Sequence, residues 1–120
     1  MGRHACLGDP FGSYQFAEIG ADEVQRRLGA GEDLLVIDIR EPFEWQQTGV
    51  IPGARLAAMR PFLLTQLDSL DKEQEVILVC ASGVRTADAA VYMSMKGFKQ
   101  PKSMTGGMKA WRGPVVPPKS

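Results

Sequence analysis

The chain has 120 residues, of which 44% are hydrophobic and 23% are charged, and its formal net charge is zero. A domain of this length can bury a core without help from disulfides or metals, and the composition is that of a soluble globular protein. The sequence has no apolar stretch of about 20 residues, which a membrane helix needs, and residues 1–15 lack the apolar core of a signal peptide, so we expect neither a membrane partner nor export.

Two cysteines, Cys6 and Cys80, stand far apart in very different surroundings. This is not the cysteine-dense pattern of small secreted domains. We therefore expect a reducing, cytoplasmic setting and at least one free thiol.

The charge is uneven along the chain. After Cys80 there is one acidic residue, Asp88, and there are seven basic ones. This pattern favours a solvated basic face, although the same field could draw small anions or an acidic partner toward that half. The basic residues do not form a stripe interleaved with aromatic ones, so we expect no nucleic-acid partner.

The first part of the chain predicts a flexible arm, a strand, a helix and a second strand. Residues 1–14 show no periodicity and predict the arm, and a folded domain is expected from residue 15 to residue 115. A short strand is predicted at Gln15–Ile19 and a helix from Ala21, which glycines end after Leu28. The apolar run Leu34–Ile39 is typical of a strand buried on both faces of a parallel sheet.

The middle of the chain predicts short elements. Pro42–Trp45 predicts a helical turn, and the Gly- and Pro-punctuated segment Gly49–Leu56 predicts a loop that leads into a short strand. Pro61–Leu70 has apolar residues at helical spacing, with Pro61 tolerated in the first turn, and predicts a helix.

The last part of the chain alternates in the same way. It predicts a buried strand at Val76–Cys80, a helix at Thr86–Lys96 and a strand at Ser103–Gly107. A terminal helical turn follows in the motif MKAWR, and a Pro-rich tail covers residues 116–120. Strands that alternate with helices predict an α/β fold around a mainly parallel sheet.

Cys80 ends a predicted buried strand, and a tight turn and a helix follow it. Ligands bind at this position in open α/β sheets, and the first N–H groups of a helix favour an anion there. A thiol beside such N–H groups and a guanidinium, here that of Arg85, becomes more acidic and more nucleophilic. Gly83 lets the backbone curl, while the small side chains of Ala81 and Ser82 keep the loop open.

The plainer interpretation of Cys80 is a buried core residue, as most free cysteines are. The residues after it are small and turn-forming, however, whereas a core site would continue apolar. An arginine also stands where the loop would meet its helix. Together these features favour a reactive thiol at Cys80.

Four segments resemble the successive signature blocks of the rhodanese-homology family. They are VIDIREPFEW, GVIPGA, VILVCASGVRTADAA and MTGGMKAW, and they occur in the family's order and at about its spacing, over roughly residues 15 to 115. The resemblance implies a three-layer α/β domain with a five-stranded, mainly parallel sheet and helices on both faces.

The resemblance also implies roles for the loop after the strand at Val76. Cys80 would be the nucleophile that accepts sulfur. The substrate would then lie in a cradle formed by the five residues that follow: Ala81, Ser82, Gly83, Val84 and Arg85.

Outside the loop, Asp38 and Arg40 match a family block that is described as structural support. We expect Arg40 to pair with Glu41 or Glu44. The sequence departs from the family at Val50, where histidine is common, and after Trp111, where several residues are missing. The second departure puts the terminal helix in doubt.

The implied activity is that of a single-domain thiosulfate sulfurtransferase with ping-pong kinetics. The Cys80 thiolate would take sulfane sulfur from a small anionic donor, either thiosulfate or a low-molecular-weight persulfide, and pass it to cyanide, a thiol or a protein cysteine. No metal or organic cofactor is implied, because no second cysteine or histidine lies near Cys80 in the sequence.

Three alternatives stay open. Cysteine phosphatases and arsenate reductases also use a cysteine-to-arginine cradle, but with five residues between the two, whereas only four separate Cys80 from Arg85. A silent interaction module would keep the fold, although such domains usually lose the cysteine. Cys6 could act as a resolving thiol, or it could be an incidental cysteine of the arm.

Overall fold

The computed structural model describes residues 3–4 and 16–118, with side chains from residue 16 onward. Its strands are β1 (Arg3–His4), β2 (Phe16–Gly20), β3 (Leu35–Asp38), β4 (Arg55–Leu56), β5 (Glu75–Val79) and β6 (Gln100–Thr105). Its α-helices are α1 (Ala21–Gly29), α2 (Pro42–Thr48), α3 (Met59–Pro61), α4 (Val84–Met95) and α5 (Gly107–Ala110).

The strands form one sheet in the order β1-β2-β6-β5-β3-β4. All neighbouring strands from β2 to β4 are parallel, which confirms the predicted mainly parallel sheet. The strand β1 is antiparallel to β2 and adds a further edge, within the segment that the sequence predicts as an arm. The rest of that arm, with Cys6, and Gln15 at the start of the predicted first strand lie outside the described residues.

Apolar side chains cover both faces of the sheet and give the domain two core clusters. The first holds buried residues of α4 and of the segment after β4, including Ala89, Met93 and Phe62. The second holds residues of α1, including Val24, with Met108 and Trp111 packed against it. The strands β3 and β5 contribute alternate residues to the two sides, so they are largely apolar, as expected for strands buried between two helical layers. The predicted helices on both faces are confirmed.

The segment Pro61–Leu70 is irregular, so the prediction of one continuous helix there was wrong. After α3, a π-helical turn covers Phe62–Gln66 and a 3₁₀ turn covers Leu67–Ser69. The Thr65 hydroxyl donates to the carbonyl of Pro61 at 2.6 Å. It thereby competes for the acceptor that the Thr65 N–H would use in an α-helix, and the turn widens.

The C-terminal segment folds back on the loop before β4. The helix α5 ends at Ala110, so the helical turn predicted in MKAWR stops short of Trp111. Val116 and Val50 exchange backbone hydrogen bonds of 2.8 and 2.9 Å. Val50 is buried at 4% exposure, so this position, where the family commonly has histidine, is a packed apolar contact here.

Candidate active site

Cys80 lies at the carboxyl edge of the sheet, directly after β5. The neighbouring strand β3 ends beside it, since Asp38 pairs with Val79 and the Ile39 N–H donates to the Val79 carbonyl at 2.9 Å. The carboxyl edge of a parallel sheet is where open α/β folds bind ligands. The predicted position of the loop is therefore the observed one.

The turn after Cys80 is shorter than the sequence predicts. Gly83 is the residue before α4 and has φ of 95°, a left-handed conformation that favours glycine. This reverses the chain after three residues, so α4 begins at Val84 and not at Thr86. Val84 and Arg85 therefore belong to the first helical turn, and of the predicted cradle only Ala81, Ser82 and Gly83 form the loop.

The helix α5 holds the outside of this loop. The Met108 N–H donates to the Cys80 carbonyl at 2.7 Å, and the Lys109 N–H donates to the Ala81 carbonyl at 3.0 Å. A Cβ at Gly107 would collide with the backbone of both acceptor residues, so only glycine permits this approach. The carbonyls of Cys80 and Ala81 are thus bound by α5, while the Gly83 N–H binds the sulfur.

The Cys80 side chain is buried, with 1% of the residue exposed, and it belongs to the first core cluster. Its Sγ accepts a hydrogen bond from the Gly83 N–H at 3.1 Å and lies 3.6 Å from Thr86 Oγ1. The core interpretation and the reactive interpretation of Cys80 therefore describe the same residue, a core cysteine whose sulfur faces polar donors.

Two opposing effects set the acidity of Cys80. Burial raises the pKa of the thiol, while the Thr86 hydroxyl and the backbone N–H groups of Thr86, Gly83 and Ser82 lower it. The hydrogen bonds prevail, so the pKa of Cys80 lies below its ordinary value. A larger share of this sulfur is thiolate at neutral pH than in an ordinary cysteine.

We expect the ultraviolet absorbance of the Cys80 thiolate to appear at lower pH than that of a free cysteine. The folded state favours the thiolate of Cys80 and lowers its pKa. The thiolate fraction therefore rises, and levels off, at lower pH than in a free cysteine. The titration is made on Cys6→Ser protein, which leaves one thiol to observe. A midpoint at or above that of the urea-unfolded chain would contradict the expectation.

Thr86 and Ser103 form a buried hydroxyl pair behind the sulfur, which the sequence analysis did not identify. Their oxygens lie 2.7 Å apart, and both residues are almost wholly buried, at 0% and 1% exposure. Thr86 directly follows Arg85 and could have been suspected as a helix-start hydroxyl. No sequence signal connects Ser103, on β6, with the loop.

The Arg85 guanidinium binds Glu44 of α2 with both terminal nitrogens, at 2.8 and 2.9 Å. The bound Arg85 lowers the pKa of Glu44 to about 2, and Glu44 in turn raises the pKa of Arg85, to which the nearby Cys80 charge also contributes. Arg85 is therefore a neighbour of the sulfur, but both of its terminal nitrogens already donate to the Glu44 carboxylate.

The expected partner of Arg40 was wrong. Arg40 pairs with Asp38 at 2.8 Å, and both residues are buried at 1% exposure. Asp38 also accepts from Trp45 Nε1, and Arg40 donates to Thr48 and to the Gly49 carbonyl. The Arg40 side chain turns inward because Asp38, two residues earlier on the strand, offers a buried acceptor. This pair ties β3 to α2 and supports the wall of the site.

A cleft of about 420 Å³ opens on the Arg85 side of the site, and its wall is mostly apolar. Apolar contacts come from Ile39, Met59, Leu63 and Leu64. The charged residues Glu41 and Arg60 also line it. A larger cavity of about 510 Å³ is lined by residues of β2, α1 and β6 and by none of the loop residues.

Within residues 16–118, none of the helices combines the length and the apolar character needed to cross a membrane. Over the same range, no three side chains of the His, Cys, Asp or Glu type come together as a metal site would require.

Comparison with known families places these features in context. A family model described as "Rhodanese-like domain" matches residues 20–114. A sulfurtransferase of Allochromatium vinosum is 33% identical over 104 residues, which cover 84% of this chain and 95% of the relative. The thiosulfate sulfurtransferase GlpE of Pseudoalteromonas translucida is 34% identical over 80 residues, which cover 67% of this chain and 74% of the relative.

Solved structures show the same fold. A rhodanese-like domain protein from Staphylococcus aureus superposes with a TM-score of 0.72 at 31% identity, over 81% of this chain and 92% of that one. A Rhodopseudomonas palustris protein of unknown function, described as a possible tyrosine phosphatase, superposes with a TM-score of 0.75 at 27% identity, over 84% of this chain and 85% of that one.

Proposed function

This chain belongs to the rhodanese-like domain family and is a rhodanese-type sulfurtransferase, and we propose that its reaction passes through a persulfide on Cys80. The observation that carries the proposal is the environment of the Cys80 sulfur. It accepts the Gly83 N–H at the carboxyl edge of the sheet, and hydrogen bonds hold its pKa below the ordinary value. A thiolate in such a setting is a nucleophile at neutral pH.

In the first step the Cys80 thiolate attacks the outer sulfur of thiosulfate. A new sulfur–sulfur bond forms at Cys80, the sulfur–sulfur bond of thiosulfate breaks, and sulfite leaves with the electron pair. A low-molecular-weight persulfide reacts in the same way, with its thiolate as the leaving group. The loop N–H groups stabilise the sulfur charge that remains, as preorganised donors do in other anion sites.

In the second step an acceptor attacks the terminal sulfur of the Cys80 persulfide. Cyanide yields thiocyanate, while a small thiol or a protein cysteine yields a new persulfide, and the Cys80 thiolate is regenerated. Each half-reaction balances in charge without an added oxidant or reductant. Ping-pong kinetics follow from this scheme, because the first product leaves before the acceptor reacts.

Mass spectrometry of the protein after incubation with thiosulfate tests the proposal. We expect one added sulfur on the peptide that contains Cys80 and its loss, with release of thiocyanate, when cyanide is added. An unmodified Cys80 in donor excess, or sulfur on Cys6 alone, would contradict the proposal. Hydrolysis of an aryl phosphate without any sulfur loading would favour the phosphatase alternative, against which the spacing of four residues between Cys80 and Arg85 speaks.

Glu44→Gln is expected to lower the KM for thiosulfate by about threefold, with a smaller change in kcat. Glu44 occupies both terminal nitrogens of Arg85, so its neutral replacement frees a cation beside the sulfur for a dianionic donor. Glutamine can also serve in the capping box that Glu44 forms with Glu41, so α2 keeps its first turn. Steady-state kinetics with varied thiosulfate measure the effect.

The matched control is Glu23→Gln, which breaks a similar but exposed arginine pair on α1, far in sequence from the loop. It should leave the KM for thiosulfate unchanged. A raised KM in Glu44→Gln would show that Glu44 organises Arg85 for the donor and does not compete with it.

A further inference from the structure

Thr86 Oγ1 lies at the centre of a small buried hydrogen-bond network. It is 3.1 Å from the Gly83 carbonyl, 2.7 Å from Ser103 Oγ and 3.6 Å from Cys80 Sγ. Ser103 Oγ is in turn 3.5 Å from the same Gly83 carbonyl. The two hydroxyl protons therefore have three kinds of acceptor: the Gly83 carbonyl, the Cys80 sulfur and the oxygen of the other hydroxyl.

A count of protons shows that this network depends on the charge of the sulfur. Each hydroxyl has one proton to donate. When Cys80 is a thiol, its S–H can donate to Thr86 Oγ1, and Thr86 can donate to the Gly83 carbonyl. When Cys80 is a thiolate, the sulfur is only an acceptor, so the Thr86 proton is needed there and leaves the carbonyl.

Ser103 favours the second arrangement. The Ser103 hydroxyl can donate to Thr86 Oγ1 across the short 2.7 Å contact, which directs the Thr86 proton outward to the sulfur or the carbonyl. The Gly83 carbonyl keeps another donor, the Ala87 N–H at 3.3 Å, when Thr86 turns away. Hydrogen bonds in such a chain polarise one another, so the donor behind Thr86 strengthens the bond to the sulfur.

We propose that Ser103 is a positioning residue, which directs the Thr86 hydroxyl toward the Cys80 sulfur whenever that sulfur is charged. The inference deepens the proposed function and rests on it only for the kinetic consequence. The charge of the thiolate is on Cys80 Sγ, the atom that Thr86 Oγ1 contacts, so Ser103 stabilises the thiolate through Thr86. A strand far from the loop in sequence thereby tunes the nucleophile.

Few charged groups of the described residues bear on this sulfur. Arg85 of α4 couples to it directly, and Glu44 of α2 binds Arg85. Asp38, at the end of β3, pairs with Arg40, and on α5 the Lys109 backbone N–H donates to the Ala81 carbonyl. None of the contacts named here involves the Ser103 hydroxyl, whose contacts are with Thr86 and the Gly83 carbonyl.

The test is the thiol titration of Ser103→Ala, made by ultraviolet absorbance on Cys6→Ser protein without any donor. We expect the pKa of Cys80 to rise by about half a unit, because an indirect donor is lost while the direct ones stay. At pH values below the pKa of Cys80, kcat/KM for thiosulfate should then fall about threefold, and it should approach the parent value at high pH. A merely structural loss would lower the rate at every pH.

Three further variants make the test specific. Ser103→Thr keeps the hydroxyl and should restore the titration. Thr105→Ala removes an exposed hydroxyl from the same strand and should change nothing. On a Thr86→Val background, Ser103→Ala should cause no further shift, because Thr86 transmits the effect.

An unshifted titration in folded Ser103→Ala protein would overturn the inference, as would an equal shift with and without Thr86. The titration uses no sulfur donor, so it stands even if sulfur transfer fails. Conversely, a failed titration leaves persulfide formation on Cys80 intact.

Discussion

Replacement of Cys80 by serine is expected to reduce thiocyanate formation from thiosulfate and cyanide by about a thousandfold or more. The serine hydroxyl stays protonated at neutral pH, and its oxygen forms no stable bond to sulfur that cyanide could reopen. The residue is nearly isosteric, and the Gly83 N–H that binds Sγ at 3.1 Å can bind an oxygen instead. The loss therefore reports on chemistry and not on the fold.

Thermal unfolding should confirm that the serine variant is folded, since one buried atom is exchanged and the backbone contacts of the loop remain. Cys6→Ser is the matched control and should keep the parent rate. If the serine variant retained a tenth of the activity, or if Cys6→Ser lost it, Cys80 would not be the sulfur carrier.

Asp38→Ala is expected to destabilise the fold by about 3–5 kcal/mol, the range for removing one member of a buried ion pair. The Asp38 carboxylate accepts from the Arg40 side chain and backbone N–H and from Trp45 Nε1. Without it, the Arg40 guanidinium stays buried at 1% exposure, and among the described residues only Thr48 and the Gly49 carbonyl remain as partners. Desolvation of that charge is then no longer compensated.

Urea unfolding measures this loss as a lower midpoint at an unchanged slope. Glu23→Ala, which breaks the exposed pair with Arg26, is the comparison and should leave the midpoint nearly unchanged. Equal midpoints for the two variants would show that water or a rearranged side chain replaces Asp38.

The sequence predicts most of the architecture because buried strands have a local signature. The apolar runs that end at Ile39 and Cys80 are typical of strands covered on both faces, and Gly83 marked the turn. The start of α4 was misplaced by two residues, because the conformation of Gly83 decides how quickly the chain reverses.

Side-chain partners could not be predicted in the same way. Arg85 binds Glu44, and Thr86 meets Ser103, across separations in sequence that only the folded sheet brings together. Three carboxylates lie near Arg40 in the sequence. Arg40 pairs with the buried one, that of Asp38, and no local pattern indicates which one is buried. Long-range contacts and burial thus set the details of the site.

The pairing of β2 with β6 also has a consequence for how this protein folds. Ala17 lies opposite Lys102, so one side of the sheet closes only after nearly the whole chain is in place. Closing a loop of this length costs conformational entropy. Contacts between residues that are far apart in the sequence therefore slow folding. During synthesis β2 can therefore pair with β6 only late. Cys80 follows β5, the strand beside β6, so its surroundings are complete only when Ser103 has left the ribosome.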